Sequence, residues 1–152
     1  MAEVKLTDVG VGVSQVLPAL VEAFYAPPGS TVWMEQPEIH LHPQVRSRLA
    51  DALISAVQSN DKDGPRNVQL VIESHSEHLL NRLQRRIAEG SLGLSEVAIY
   101  FCKSGRSGPE LEALELNSEG NIVNWPENFF GDAMEDVLAR TEAAMKARIS
   151  AQ

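Results

Sequence analysis

The sequence predicts an α/β fold with a parallel sheet, on three observations. Two short apolar runs, Thr31–Met34 and Val68–Ile72, are rich in β-formers and end in acidic or polar residues. Each is followed by a segment whose apolar residues recur at helical spacing. Proline and glycine punctuate the joints between them. Strands alternating with helices build parallel sheets, because each return crossing is long enough to hold a helix.

The elements follow in order. Val13, Val16, Leu17, Leu20, Val21 and Phe24 fit one helical stripe and predict a helix over about 14–26, with Ser14 as N-cap and Pro18 in the first turn. Pro27-Pro28-Gly29 stops it. Thr31-Val32-Trp33-Met34 is apolar on both faces, as a strand buried on both sides would be. Pro43, at a first helical position, opens a second helix with Val45, Leu49, Ala52, Leu53, Ala56 and Val57 on one face. A polar loop over 60–67 leads to the second strand. Glu77 to Ala88 then predicts a third helix through Leu79, Leu80, Leu83 and Ile87. Val97 to Cys102 predicts a third strand. Leu111–Asn117 and Asn121–Trp125 predict a hairpin turning at Glu119-Gly120. A last helix is expected over about 133–150.

Bulk properties narrow the function. The chain has 152 residues, 43% of them hydrophobic, enough for an ordinary core. With 13 basic and 21 acidic residues the net charge is -8, which argues against a dedicated nucleic-acid or anionic-membrane surface. Arg82, Arg85 and Arg86 form one local basic patch. The single cysteine, Cys102, cannot make an internal disulfide and suits a reducing, cytoplasmic setting. No apolar stretch reaches the length of a membrane span, and no signal peptide is evident.

Ligands of parallel α/β sheets gather at the carboxyl ends of strands. Two polar clusters lie there: Glu35-Gln36-Pro37-Glu38-Ile39-His40-Leu41-His42 and Glu73-Ser74-His75-Ser76-Glu77-His78. A third, Asp8-Val9-Gly10-Val11-Gly12-Val13-Ser14-Gln15, is a glycine-rich turn feeding a helix.

In order and spacing these clusters resemble the C-terminal half of an ABC-type ATPase head, and more closely the bacterial AAA-family ATPases related to SMC and overcoming-lysogenization-defect proteins. The tail Asn121 to Phe130, "NIVNWPENFF", resembles a domain of unknown function often attached to them. The resemblance implies a three-layer, mainly parallel sheet of P-loop NTPase type lacking its P-loop strand. It also implies a division into an ATPase core over 1–104 and an appended hairpin and helix over 105–152. Its cofactors would be ATP and Mg²⁺. Glu35 would be the Walker B acid serving the metal, and His75 the switch histidine meeting the γ-phosphate. Gln36 stands where such enzymes usually carry the glutamate that orients the attacking water. An amide is a poor general base, so either Glu38 substitutes or hydrolysis is slow. Gly10, Gly12, Ser14 and Gln15 would meet the γ-phosphate of an opposing subunit in a head-to-tail dimer. Nucleic acid would be reached only through the full assembly.

No G-x-x-x-x-G-K-[ST] loop occurs in the 152 residues. The resemblance would place that loop's strand between the strands ending at Ile72 and starting at Val97. A P-loop-bearing segment or subunit is therefore the expected partner. Two alternatives stay open. His40, His42, His75 and His78 would suit a metal-dependent hydrolase or metal-binding module, and Gln36 would suit a non-catalytic dimerisation module.

Overall fold

The computed structural model describes residues 11–105, 108–126 and 129. Helix α1 spans Val11–Tyr25, strand β1 Thr31–Glu35, helix α2 Pro43–Val57, and a two-residue ladder joins β2 (Asn60–Asp61) to β3 (Gly64–Pro65). Strand β4 (Gln69–Glu73), helix α3 (Glu77–Ala88), β5 (Ile99–Gly105) and β6 (Gly108–Leu114) complete the order. The chain divides into two compact units. The first runs up to Val97 and takes in Asn117–Asn121; the second holds Ala98–Leu116 and resumes at Ile122. The architecture is mixed α/β, with a small parallel sheet in the first unit and an antiparallel hairpin in the second. The expected helix over 133–150 lies outside the described residues.

In the first unit β1 and β4 pair in parallel, from Thr31 opposite Gln69 to Glu35 opposite Glu73. Val32, Met34, Leu70 and Ile72 turn to the core with Val16 and Ala23 of α1 and with Leu41, Leu49, Leu53 and Ala56. The other face behaves differently. Trp33, expected to be buried, is 70% exposed, so among the described residues helices cover the sheet on one side. On α1, Leu17, Val21 and Phe24 form a second apolar stripe that is also exposed.

Helix α1 starts earlier than its local signals suggest. Ser14 is not the N-cap, and Pro18 lies inside the helix rather than in its first turn. An interior proline costs roughly 3 kcal/mol, yet burial of Val16, Ala19, Leu20 and Ala23 along one face carries the helix through it. At the other end Pro27 has no N–H to offer the Ala23 carbonyl. Arg66, buried, supplies the donors instead: Nη1 donates to Ala23 O at 3.4 Å and Nη2 to Ala26 O at 2.6 Å. Nη1 also reaches the Ser59 hydroxyl at 3.0 Å, and Gly29 N–H donates to the Arg66 carbonyl at 2.8 Å.

Helix α2 begins at Pro43 as expected, and α3 keeps its expected bounds with Ser76 as N-cap. Helix α3 buries Leu79, Leu80 and Ile87 and packs on α2. The arginine patch is internally neutralised. Arg82 and Arg86 meet Asp51 at 3.0 and 2.8 Å, and Arg85 and Arg86 meet Glu89. The Arg86 hydrogen bond, with Arg82 beside it, holds the Asp51 carboxyl below the ordinary carboxylate range.

The third strand is present as β5, and it pairs antiparallel with β6, from Ile99 opposite Leu114 to Gly105 opposite Gly108, so that Leu111–Leu114 joins this ladder rather than the expected hairpin with 121–125. Ile99 and Phe101 are half-buried while Tyr100 and Cys102 are exposed, the alternation of a one-sided antiparallel strand. The turn at Glu119-Gly120 is present but carries only a single bridge, Leu116 opposite Ile122. Phe129 packs edge-on against Phe101 and Trp125, with ring centroids 5.1 and 5.2 Å apart.

Candidate functional site

The parallel register sets the geometry. Because Glu35 lies opposite Glu73, the segments that follow β1 and β4 leave the sheet side by side at its carboxyl end. In-register residues of adjacent strands point to the same face, so these two exposed carboxylates share one face of the sheet end. Gln36 continues the ladder, its N–H donating to Glu73 O at 2.8 Å. It does so at φ 44°, a left-handed backbone conformation uncommon for a side chain of this size. Tight turns follow: Ile39 N–H donates to Gln36 O, and Leu41 N–H to Glu38 O. A groove of about 380 Å³ flanks the β1 tip, lined by Pro18, Glu22, Trp33, Glu35, Gln36 and Ile39 among others.

Glu38 turns inward from this loop and is 3% exposed. Its Oε1 accepts the Ser74 hydroxyl at 2.6 Å, while Oε2 is buried without a hydrogen bond. Ser74 Oγ in turn accepts the Ser76 N–H at 3.0 Å, and Ser76 Oγ accepts the Leu79 N–H at 3.3 Å at the start of α3. His75, exposed, sits between the two serines. Sequence reasoning named Ser74 only as part of a motif; nothing local signals its link to a residue 36 positions away.

The histidines divide by role. His42 is the N-cap of α2, where its Nδ1 accepts the Gln44 N–H at 3.4 Å, and His40 is exposed. Among the described residues, which include all four histidines, no three of His, Cys, Asp and Glu gather to hold a metal ion. The pair Glu35 and Glu73 offers hard oxygen donors and uncompensated negative charge, which fits a hydrated Mg²⁺.

Gly12 falls in the first turn of α1, whose N–H groups point along the helix axis, an arrangement that suits an anion. It also has a packing role: a Cβ there would lie 2.7 Å from the His40 carbonyl oxygen. Gly12→Ala is therefore expected to destabilise the chain by about 1–3 kcal/mol through this overlap, read as a fall in thermal midpoint. Ser14 lies two residues further along, within the helix. The Gln15 side chain and Gly10 lie outside the described residues.

Comparison with known families gives two matches. Residues 2–80 match the family model for an AAA ATPase domain, and residues 94–139 match one for a protein of unknown function (DUF3696). No curated protein and no solved structure matches the chain. Among the described residues no helix is long and apolar enough to cross a membrane. The first match covers half of the chain and includes both strand tips of the parallel sheet, and on that ground the chain belongs to the AAA ATPase domain family.

Proposed function

We propose that this chain is the C-terminal part of an ATP-binding, Mg²⁺-dependent ATPase of ABC type that hydrolyses ATP once a P-loop-bearing segment or subunit completes it. The observation that carries the reading is the register of β1 and β4, which sets Glu35 and the Ser74-His75-Ser76 segment at one end of one sheet. Glu35 acts as the Walker B acid and, with Glu73 beside it, would hold Mg²⁺; the bound ion supplies neutralising charge to the phosphates. His75 donates a hydrogen bond to the γ-phosphate. Gln36 is partly exposed and Glu38 buried, which supports Gln36 for orienting the attacking water. The glycine-rich segment Gly10, Gly12, Ser14 and Gln15 meets nucleotide on an opposing subunit of a head-to-tail dimer.

Completion by another polypeptide has its own support. Among the described residues the parallel sheet has two strands, each with one free edge. A two-stranded ribbon is marginal alone, and exposed Trp33 and the Leu17, Val21, Phe24 stripe need cover. In the completed protein the sheet becomes the three-layer, P-loop-type arrangement, with the missing strand beside β4. The single cysteine, exposed, suits a cytoplasmic protein.

The test is to purify the chain with and without a polypeptide bearing a G-x-x-x-x-G-K-[ST] loop. Only the pair should turn over ATP in a Mg²⁺-dependent manner, and an inactive pair that still assembles would defeat the reading. Gln36 favours a second reading, a non-catalytic dimerisation module, and one substitution separates the two. Gln36→Glu supplies a carboxylate at the water-orienting position and is expected to raise kcat of the pair about tenfold or more. A pair that binds ATP yet stays silent in both forms would support the dimerisation module.

A further inference from the structure

Glu38 is buried, acidic and in contact with the other strand-tip segment, but it is poorly placed for chemistry. Among the described residues its side chain accepts one hydrogen bond, from the hydroxyl of Ser74, the residue before His75. Ser74 Oγ is held from its other side by the Ser76 N–H, so the His75 peptide is spanned by a short bridge anchored at one end in the Glu38 carboxylate and at the other in the N-cap of α3. A carboxyl group kept merely for stability would satisfy both oxygens, because an unpartnered buried acceptor is unfavourable. Here Oε2 has no partner and Oε1 serves only this bridge.

We infer that Glu38 is a positioning residue for His75: through Ser74 its carboxylate fixes the loop after β4 against the loop after β1, so that His75 and Glu35 are held as one unit. The inference deepens the proposed ATPase function and rests on it for the purpose of the clamp, though not for the clamp itself. What the position requires is a hydrogen-bond acceptor rather than a base. Glu38→Gln keeps an oxygen facing Ser74 and puts the amide nitrogen where Oε2 stands. Glu38→Ala removes the acceptor, and Ser74→Ala removes the donor by deleting a single oxygen atom from a partly exposed residue.

Backbone relaxation by NMR on the full 152-residue chain reads the clamp without any need for turnover. The His75 amide order parameter should fall from about 0.85 to below about 0.6 in Glu38→Ala and in Ser74→Ala, and stay high in Glu38→Gln. An unchanged value in Ser74→Ala and Glu38→Ala, or a fall in Glu38→Gln as large as in Glu38→Ala, overturns the inference. In the completed pair, Glu38→Ala and Ser74→Ala should each lower kcat about tenfold with KM for ATP little changed, and the double variant should lose no more than either single one. Glu38→Gln should keep kcat near the wild-type value; a loss of about 10²–10⁴-fold would instead make Glu38 the general base and overturn the positioning role. His75→Ala serves as the control. If it leaves turnover unaltered, the ATPase assignment of His75 fails, while the relaxation result still decides whether the clamp exists.

Discussion

His75→Ala and Glu35→Ala should each lower ATP turnover of the completed assembly by about a hundredfold or more, the scale of losing one preorganised donor or metal-holding group at a site of developing charge. Both side chains are exposed and make no hydrogen bond among those described above, so the fold has little to lose. Surface changes of this kind usually stay within about 0.5 kcal/mol, and the thermal midpoints should match the wild type. The two variants differ in their response to metal. Glu35→Ala should require more Mg²⁺ to reach its residual rate, because the acid that fixes the ion is gone. His75→Ala should keep the wild-type Mg²⁺ dependence and lose kcat, since its contact forms with the reacting phosphate. Steady-state rates across a Mg²⁺ titration separate these outcomes. Equal rates for wild type and both variants would remove the site from the sheet end altogether.

Arg66→Ala carries the largest expected effect on stability, about 3 kcal/mol, because it leaves the Ala23 carbonyl, which Pro27 cannot serve, and the Ala26 carbonyl without their guanidinium donors. Both alanines are buried, so water does not readily replace the guanidinium. The tie from Gly29 N–H to the residue 66 carbonyl is a backbone bond that alanine keeps, so the loss is confined to the guanidinium contacts. Urea unfolding should show a midpoint lower by about 1–2 M. Arg66→Lys should recover little, since an ammonium group lacks the planar fork that reaches two carbonyls and the Ser59 hydroxyl at once. A midpoint unchanged in Arg66→Ala would show that the end of α1 satisfies itself in another way.

What the sequence disclosed and what it hid follow a physical line. Pro43 and the periodic leucines are local signals, and α2 and α3 lie where those signals put them. Ser14 and Pro18 are local signals too, and they misled, because burial of the Val16–Ala23 face outweighed a proline inside the helix. Val97 to Cys102 was legible as a strand but its partner was not, since apolar content alone does not tell a two-sided strand from a one-sided one. The alternation of Ile99 and Phe101 with Tyr100 and Cys102 was the better guide to its pairing with β6. At the candidate site the motifs placed Glu35, Gln36 and His75 at strand ends. They could not disclose that Glu38 faces inward onto Ser74, or that Arg66 closes a helix forty residues before it, since both links exist only once the chain is folded.

The exposed Trp33 face and the two strand edges left free among the described residues have a consequence for the cell. A ribbon that is apolar on its bare side pairs as readily with another copy of itself as with a complementary strand. Where the completing P-loop segment belongs to a separate subunit, the dosage of the two must then be matched at synthesis. Any surplus chain would meet its own kind first and be lost to aggregation or proteolysis, which ties its abundance to its neighbour's supply.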